Sequence, residues 1–585
     1  MNSHCGPDTD GHADNDGHVP IDRDAPIDGY AGSLIAVFRN WAATMFGVIA
    51  VLLVVGSSTA RGQAPPQIQA INESIEQNWR DFEVTPSKPA DDATWCRRVY
   101  LDVIGRIPSV EELKEFLTDK SAGRRVRLVK RLLHDDAYTE EYADHWATVW
   151  SNLLIGRSAG TDRRDLTDSA GMQKFLRDSF ANNKTYDQLV YELVTATGTT
   201  KPGTEGFNGA VNFLIGKVNA EEGTLATSSV SRIFLGLQVQ CTQCHDHPFN
   251  QWKQQKFWEF NSFFRQARGL RRFVEGSNDI DYGELVDEDF GGDAGDPEDA
   301  MIFYEKRNGR LESAFPVFVD NTSIGTSGFV EDINRRQELG RMMLESEFFD
   351  KMIVNRMWAQ FMGYGFTRPI DDLGPHNAPT HPQLLETLGK EFRKASYDLK
   401  ELIFWITLSK PYQLQATLGS GNKIDDPTVG EPPKFSRFYL RQMTAEQLYS
   451  SMMTATAASG SGSYEEQAAQ RRRWLQQFVT AFGTDEGDEA TTFNGSIPQA
   501  LMMFNGELTK SSIDRSAGSF IDDVIKNHPN PQARLDHLFL TGLSRRATTA
   551  EKNIAKRIMQ VDDEAGMLRD MWWAIVNSNE FILQH

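Results

Sequence analysis

A chain of 585 residues with 61 Lys and Arg against 81 Asp and Glu carries a formal net charge of -20, and its pI lies near 5.1. Phosphate contacts need clustered cations, so this balance excludes non-specific nucleic-acid binding. At 40% hydrophobic and 10% aromatic residues, the chain can build substantial cores in two or more domains.

Residues 1–38 hold seven Asp and a single Arg23, an acidic leader. The apolar run Trp41 to Gly56 follows, WAATMFGVIAVLLVVG, and small residues lie just beyond it at Ser58-Thr59-Ala60 and Gly62-Gln63-Ala64. Sixteen residues are short of the roughly 20 a spanning helix needs, so the run reads as an export signal within a 1–64 segment. The protein is therefore expected in the periplasm or outside the cell, or anchored through 41–56 if that run is retained. Cleavage would remove Cys5 and leave Cys96, Cys241 and Cys244, an odd count that describes no disulfide scaffold.

From about residue 70 the dominant pattern is helical. Cys96 sits in ATWCRRVYLDVIGRIP, where helical packing makes it a small buried hydrophobe. Ser109-x-x-Glu112, Thr444-x-x-Gln447 and Thr548-x-x-Glu551 are capping-box patterns ahead of helical stretches. VYLDVIGRIPSVEEL with YADHWATVW is echoed by LFLTGLSRRATTAEK with LRDMWWAIV, though two copies do not make a repeat architecture.

The most specific chemistry is at Cys241-Thr-Gln-Cys244-His245. Two thiols one turn apart can reach the two vinyl groups of a porphyrin, while the adjacent imidazole meets the iron. Three readings stay open: haem c on Cys241, Cys244 and His245; zinc or non-haem iron on Cys241, Cys244, His245 and His247; or a plain thiol pair or disulfide. Val230, Ile233, Phe234, Leu237, Cys241 and Cys244 share one helical stripe, which predicts both sulfurs facing inward. Pro248 disfavours helical geometry at His247. Phe249, Trp252, Phe257, Trp258, Phe260, Phe263 and Phe264 then form a second aromatic helix, either a porphyrin wall or ordinary core. By residue type alone, His145 and Met172 are candidates for the sixth iron position.

In the middle, Asn308-Gly309 within IFYEKRNGRLE predicts a β-hairpin. The preceding ELVDEDFGGDAGDPEDA reads as an exposed acidic loop without the spacing of a calcium-binding loop. The domain boundary is placed in this segment, 266–331. Further on, Asp371, Asp372, His376 and His381 fall within eleven residues of GFTRPIDDLGPHNAPTHPQ, capable of metal binding or acid-base work. Prolines make the same stretch a rigid connector, with Thr380 placed to cap the helix that starts near Pro382. The loose stretch at 419–434 interrupts this half without dividing it. Hydrolase, nucleotide and metalloprotease signatures are absent from the sequence.

RRVYLDVIGRIPSVEELKEFL, YADHWATVW and SRIFLGLQVQCTQCHDHPFNQWKQQKFWEFNSFF together resemble the planctomycete cytochrome-c-like domain of unknown function, over about 70–265. MIVNRMWAQFMGYGFTRPIDDLGPHNAPTHPQLLETLGKEF, YLRQMTAEQL, SIPQALMMFNG and LSRRATTAEK are similar to the domain of unknown function that usually follows it, over 332–585. The resemblance implies an exported bacterial protein, a haem at the cysteine motif, and a redox partner or a secreted sulfatase-like partner. The expected architecture is mainly α, with two helical domains joined by a hairpin and an acidic loop. Two function classes stay open: a c-type haem protein in redox or electron transfer, and an exported metal-binding, binding or hydrolytic protein linked to polysaccharide turnover.

Overall fold

The computed structural model describes residues 65–160, 164–291, 300–457, 464–482 and 497–585. The acidic leader and the apolar run at 41–56 lie outside the described residues. Among those described, no helix is long and apolar enough to cross a membrane.

Helices dominate, as their local signals predict. All three capping boxes form: the hydroxyls of Ser109, Thr444 and Thr548 accept from the backbone N–H three residues on, and the Glu or Gln there reaches back. These pairs satisfy end groups that a helix cannot satisfy itself. Cys96 is fully buried, as expected.

The internal echo extends to side-chain geometry. Helix Asp92–Ile104 and helix Pro531–Leu543 both end on a left-handed residue, Gly105 and Ser544, whose N–H returns to Leu101 and Leu540. One residue later stands Arg106 or Arg545. Each guanidinium bonds a Glu six residues on, Glu112 or Glu551, and another 35 residues on, Glu141 or Glu580. Each copy also has a helix with a buried Trp, Trp146 in Asp136–Ile155 and Trp572 in Glu564–Val576.

Residues 65–585 form one compact unit with two main apolar cores. The larger runs from Ile68 to Tyr439 and draws on residues before and after 266–331. The smaller gathers Met443 to Ile582, together with Leu101 and Ile107 from the first copy of the echo.

The hairpin forms as predicted, Ile302–Glu305 against Leu311–Ala314, with Gly309 at φ +79 in the turn. Strand content exceeds the expectation. Ala267–Phe273 pairs with Ile280–Asp287, which also pairs with Gly198–Thr199, in an antiparallel three-stranded sheet. The expected acidic loop therefore begins as strand, and its 292–299 part lies outside the described residues. Two glycines explain why a strand fits there: a Cβ at Gly269 would stand 2.9 Å from the Ile215 carbonyl oxygen, and one at Gly283 2.8 Å from that of Leu166. Glycine inside a strand marks such close backbone approach.

Candidate functional site

The helix leading into the cysteine motif, Thr224–Leu235, stops at Gly236 with φ +64. A Cβ at Gly236 would lie 2.8 Å from both Leu373 Cγ and Met352 Sδ, so only glycine fits. The chain turns there and resumes as a short 3-10 turn, Gln240–Gln243. This break overturns the expected single stripe. Cys241 and Cys244 are free and exposed instead of facing inward, because the helical register that would bury them ends at residue 235. Partial burial still pushes the Cys241 thiol upward in pKa.

The motif is braced from behind. The Gln243 carbonyl accepts from the Gln254 side chain at 3.1 Å and from Trp258 Nε1 at 3.2 Å. Asp246 accepts from the backbone N–H of Gln254 at 3.0 Å, capping helix Gln254–Asn261, and pairs with Lys253 at 3.1 Å. The backbone hydrogen bond, then Lys253, lower its pKa. Of the aromatics expected to wall a porphyrin, Phe257, Phe260, Phe263 and Phe264 are consumed by the main core, whereas Phe249 is 77% exposed. Core packing therefore accounts for most of that stripe.

The imidazoles are held in defined tautomers. His245 Nδ1 donates to the Asp246 carbonyl at 2.7 Å, which leaves Nε2 as its electron-pair donor. His247 Nδ1 accepts from the N–H groups of Phe249 and Asn250, both at 3.2 Å, so its Nε2 carries the proton.

The second sequence cluster arrives at the same place. Leu373 N–H donates to the Gly236 carbonyl at 2.7 Å. Asp371 accepts from Gln238 at 2.7 Å and pairs with Arg232 at 3.2 Å, pinning its loop to the approach of the motif. Beyond it, His376 Nε2 donates to Asp372 at 2.9 Å, and the His376 ring lies 5.4 Å from that of His247. Partial burial and then His376 lower the His247 pKa, against the pull of Asp372. His381 does not join. It is 5% exposed, with its ring between Phe366 and Phe435. Burial pushes its pKa down to about 4. His381 itself is the N-cap of helix Pro382–Lys394 and makes no side-chain cap bond. The expected Thr380 cap is absent because that hydroxyl meets His381 Nδ1 at 3.0 Å.

The residues considered for the sixth iron position lie in other surroundings. Met172 is fully buried in the main core. His145 packs on Gly105 and Trp146 and lines a cavity of about 560 Å³ with Arg157, Gln360 and Glu446. Among the described residues, no three His, Cys, Asp or Glu side chains are grouped as a metal site.

The juxtaposition of His247 with His376 could not be read from spacing, since 129 residues separate them. The signal passed over in the sequence was Gly236, a glycine interrupting the periodic run.

Two family descriptions match the chain. PSCyt2, a protein of unknown function (DUF1549), covers residues 70–269, and PSD1, a protein of unknown function (DUF1553), covers residues 335–559. No curated protein and no solved structure matches. Cys241, Cys244, His245 and His247 fall in the first match, Asp372 and His376 in the second, so the site is built from both. The chain belongs to the family in which the planctomycete cytochrome-c-like domain of unknown function is followed by its partner domain of unknown function.

Proposed function

We propose that the protein is an exported c-type haem protein, with Cys241 and Cys244 as thioether anchors and His245 as the iron ligand. The carrying observation is the state of these three residues. Both thiols are free and exposed on one short turn, and the Asp246 carbonyl fixes the tautomer that leaves His245 Nε2 available. A neighbouring acceptor on the far ring nitrogen is how a ligating histidine is oriented. Thioether attachment requires accessible thiols, and both are exposed, so the donor set fits the group. Bound haem would supply a one-electron couple and an iron with a sixth position to which no residue is assigned, favouring redox or small-ligand chemistry.

The export part rests on the apolar run at 41–56 and its small-residue flank. Expression in a host equipped for c-type maturation is expected to give an exported red protein whose haem survives denaturation. Cys241→Ser with Cys244→Ser should abolish that haem. A colourless wild type would sink the reading. Stoichiometric zinc or iron, lost on mutating Cys244 or His247, would put a non-haem metal in its place.

A further inference from the structure

The second matched segment delivers Asp372 and His376 to the cysteine motif on a loop whose path is fixed from several sides. Buried Asn355, on helix Glu347–Met362, accepts from Phe366 N–H at 2.6 Å and donates to Thr367 Oγ1 and the Ile370 carbonyl at 2.8 and 2.7 Å. Asn377 donates to the Asp372 carbonyl at 2.8 Å. At Gly374 a Cβ would stand 2.6 Å from His376 Cε1 and 2.7 Å from Nδ1, so the imidazole packs directly on glycine backbone. Together with the Leu373–Gly236 bond and the Asp371 contacts, these hold His376 against His247 without help from a ligand.

We infer that Asp372 and His376 are the second matched segment's half of the haem centre, a positioning pair that packs on His247 and sets the field around the cofactor. This rests on the haem reading above. The His376 side chain is 24% exposed and that of Asp372 14%, so the carboxylate is a largely covered negative charge, which accepts from the His376 ring N–H at 2.9 Å on one oxygen and from the Gly374 backbone N–H at 3.2 Å on the other. His247 is where the pair meets the motif. Its Nδ1 is committed to backbone, so the ring orientation is fixed and the His376 ring packs beside it. A covered negative charge near haem favours the ferric state and lowers the reduction potential, and a hydrogen bond to that charge moderates the effect.

The two members of the pair therefore act in opposite directions. Removing His376 leaves the carboxylate with the Gly374 N–H alone and its charge less compensated, whereas neutralising Asp372 removes the charge. A merely structural role would disturb the centre in one direction through either residue.

The test is potentiometric titration of the haem-loaded full chain. His376→Ala is expected to lower the midpoint potential and Asp372→Asn to raise it, both with haem fully attached. His376→Gln, which keeps an amide donor for Asp372, should return the potential towards that of the wild type. Unchanged potentials, or shifts of the same sign in His376→Ala and Asp372→Asn, would overturn the inference and leave the haem reading standing. A colourless wild type would remove both. Asp372→Asn preserves shape, so it keeps the test decisive if the alanine variant folds poorly.

Discussion

At the scale of single residues, four polar side chains that the sequence groups within eleven positions divide into three kinds of work. Asp371 stitches its loop to Arg232 and Gln238, Asp372 and His376 pair beside the motif, and His381 is buried between phenylalanines. Composition identified the residues as capable of chemistry, but side-chain direction depends on backbone path, which Asn355 and Gly236 set from outside the cluster. His381 carries a pH prediction. Its Nε2 is buried without a hydrogen-bond partner, and its folded pKa of about 4 lies below the usual 6.5. Asp425, the charged group acting on it, opposes the burial without reversing it. Between those values the unfolded chain binds a proton that the folded chain refuses, so this contribution to stability is fully present above pH 6.5 and is lost as pH falls towards 4. The loss amounts to about 3 kcal/mol at most. His381→Phe should flatten the fall. Urea denaturation of both proteins at pH 7, 5.5 and 4 measures it, and parallel declines would refute the assignment.

Elements whose determinants lie within one turn were readable, and those whose determinants lie across the molecule were not. The capping boxes need only residues i and i+3, and the hairpin needs only Asn308-Gly309, so both appear where the sequence places them. The strand Ala267–Phe273 has no clean alternation and turns outward along its length, so nothing local distinguishes it from a loop. What admits it is a three-stranded pairing and the close approach of Gly269 to Ile215. The echo lies between these cases: its pattern was visible, while the Arg–Glu–Glu network that gives it physical content joins side chains 35 residues apart. That network allows the two copies to be compared. The Arg106 side chain is 13% exposed and that of Arg545 31%, and a salt bridge broken in a covered site strands more uncompensated charge than one near solvent. Arg106→Met should therefore cost about 2–4 kcal/mol of stability and Arg545→Met about 1 kcal/mol. Equal losses by chemical denaturation would show that burial does not set the difference.

For the whole molecule, the question is whether the two family matches fold as separable halves, as the Gly-rich acidic composition at 283–299 invites one to expect. Helix Asp92–Ile104, in the first match, acts as a shared anchor. Arg97 donates to the carbonyls of Gly542 at 2.7 Å and Phe581 at 3.1 Å, and Arg98 to those of Tyr412 and Leu414, the latter at 3.0 Å. Asp102 pairs with Arg441 at 2.9 Å and accepts from Tyr412 at 2.6 Å. All three helix residues are at most 2% exposed, so pulling the halves apart would return buried charges and their carbonyl partners to water and expose the apolar faces of both cores. The segment between the matches is then a covalent connection and not the principal one. A site for a specific protease inserted between Gly292 and Asp293 should, once cut, leave residues before and after it eluting as one species in gel filtration, separating only in denaturant. Arg98→Leu with Asp102→Leu in the cut protein should weaken that association, since it removes the anchor's hydrogen bonds at its centre. If instead the fragments part under native conditions and each remains helical by circular dichroism, the anchor contributes little and the matches correspond to independent domains.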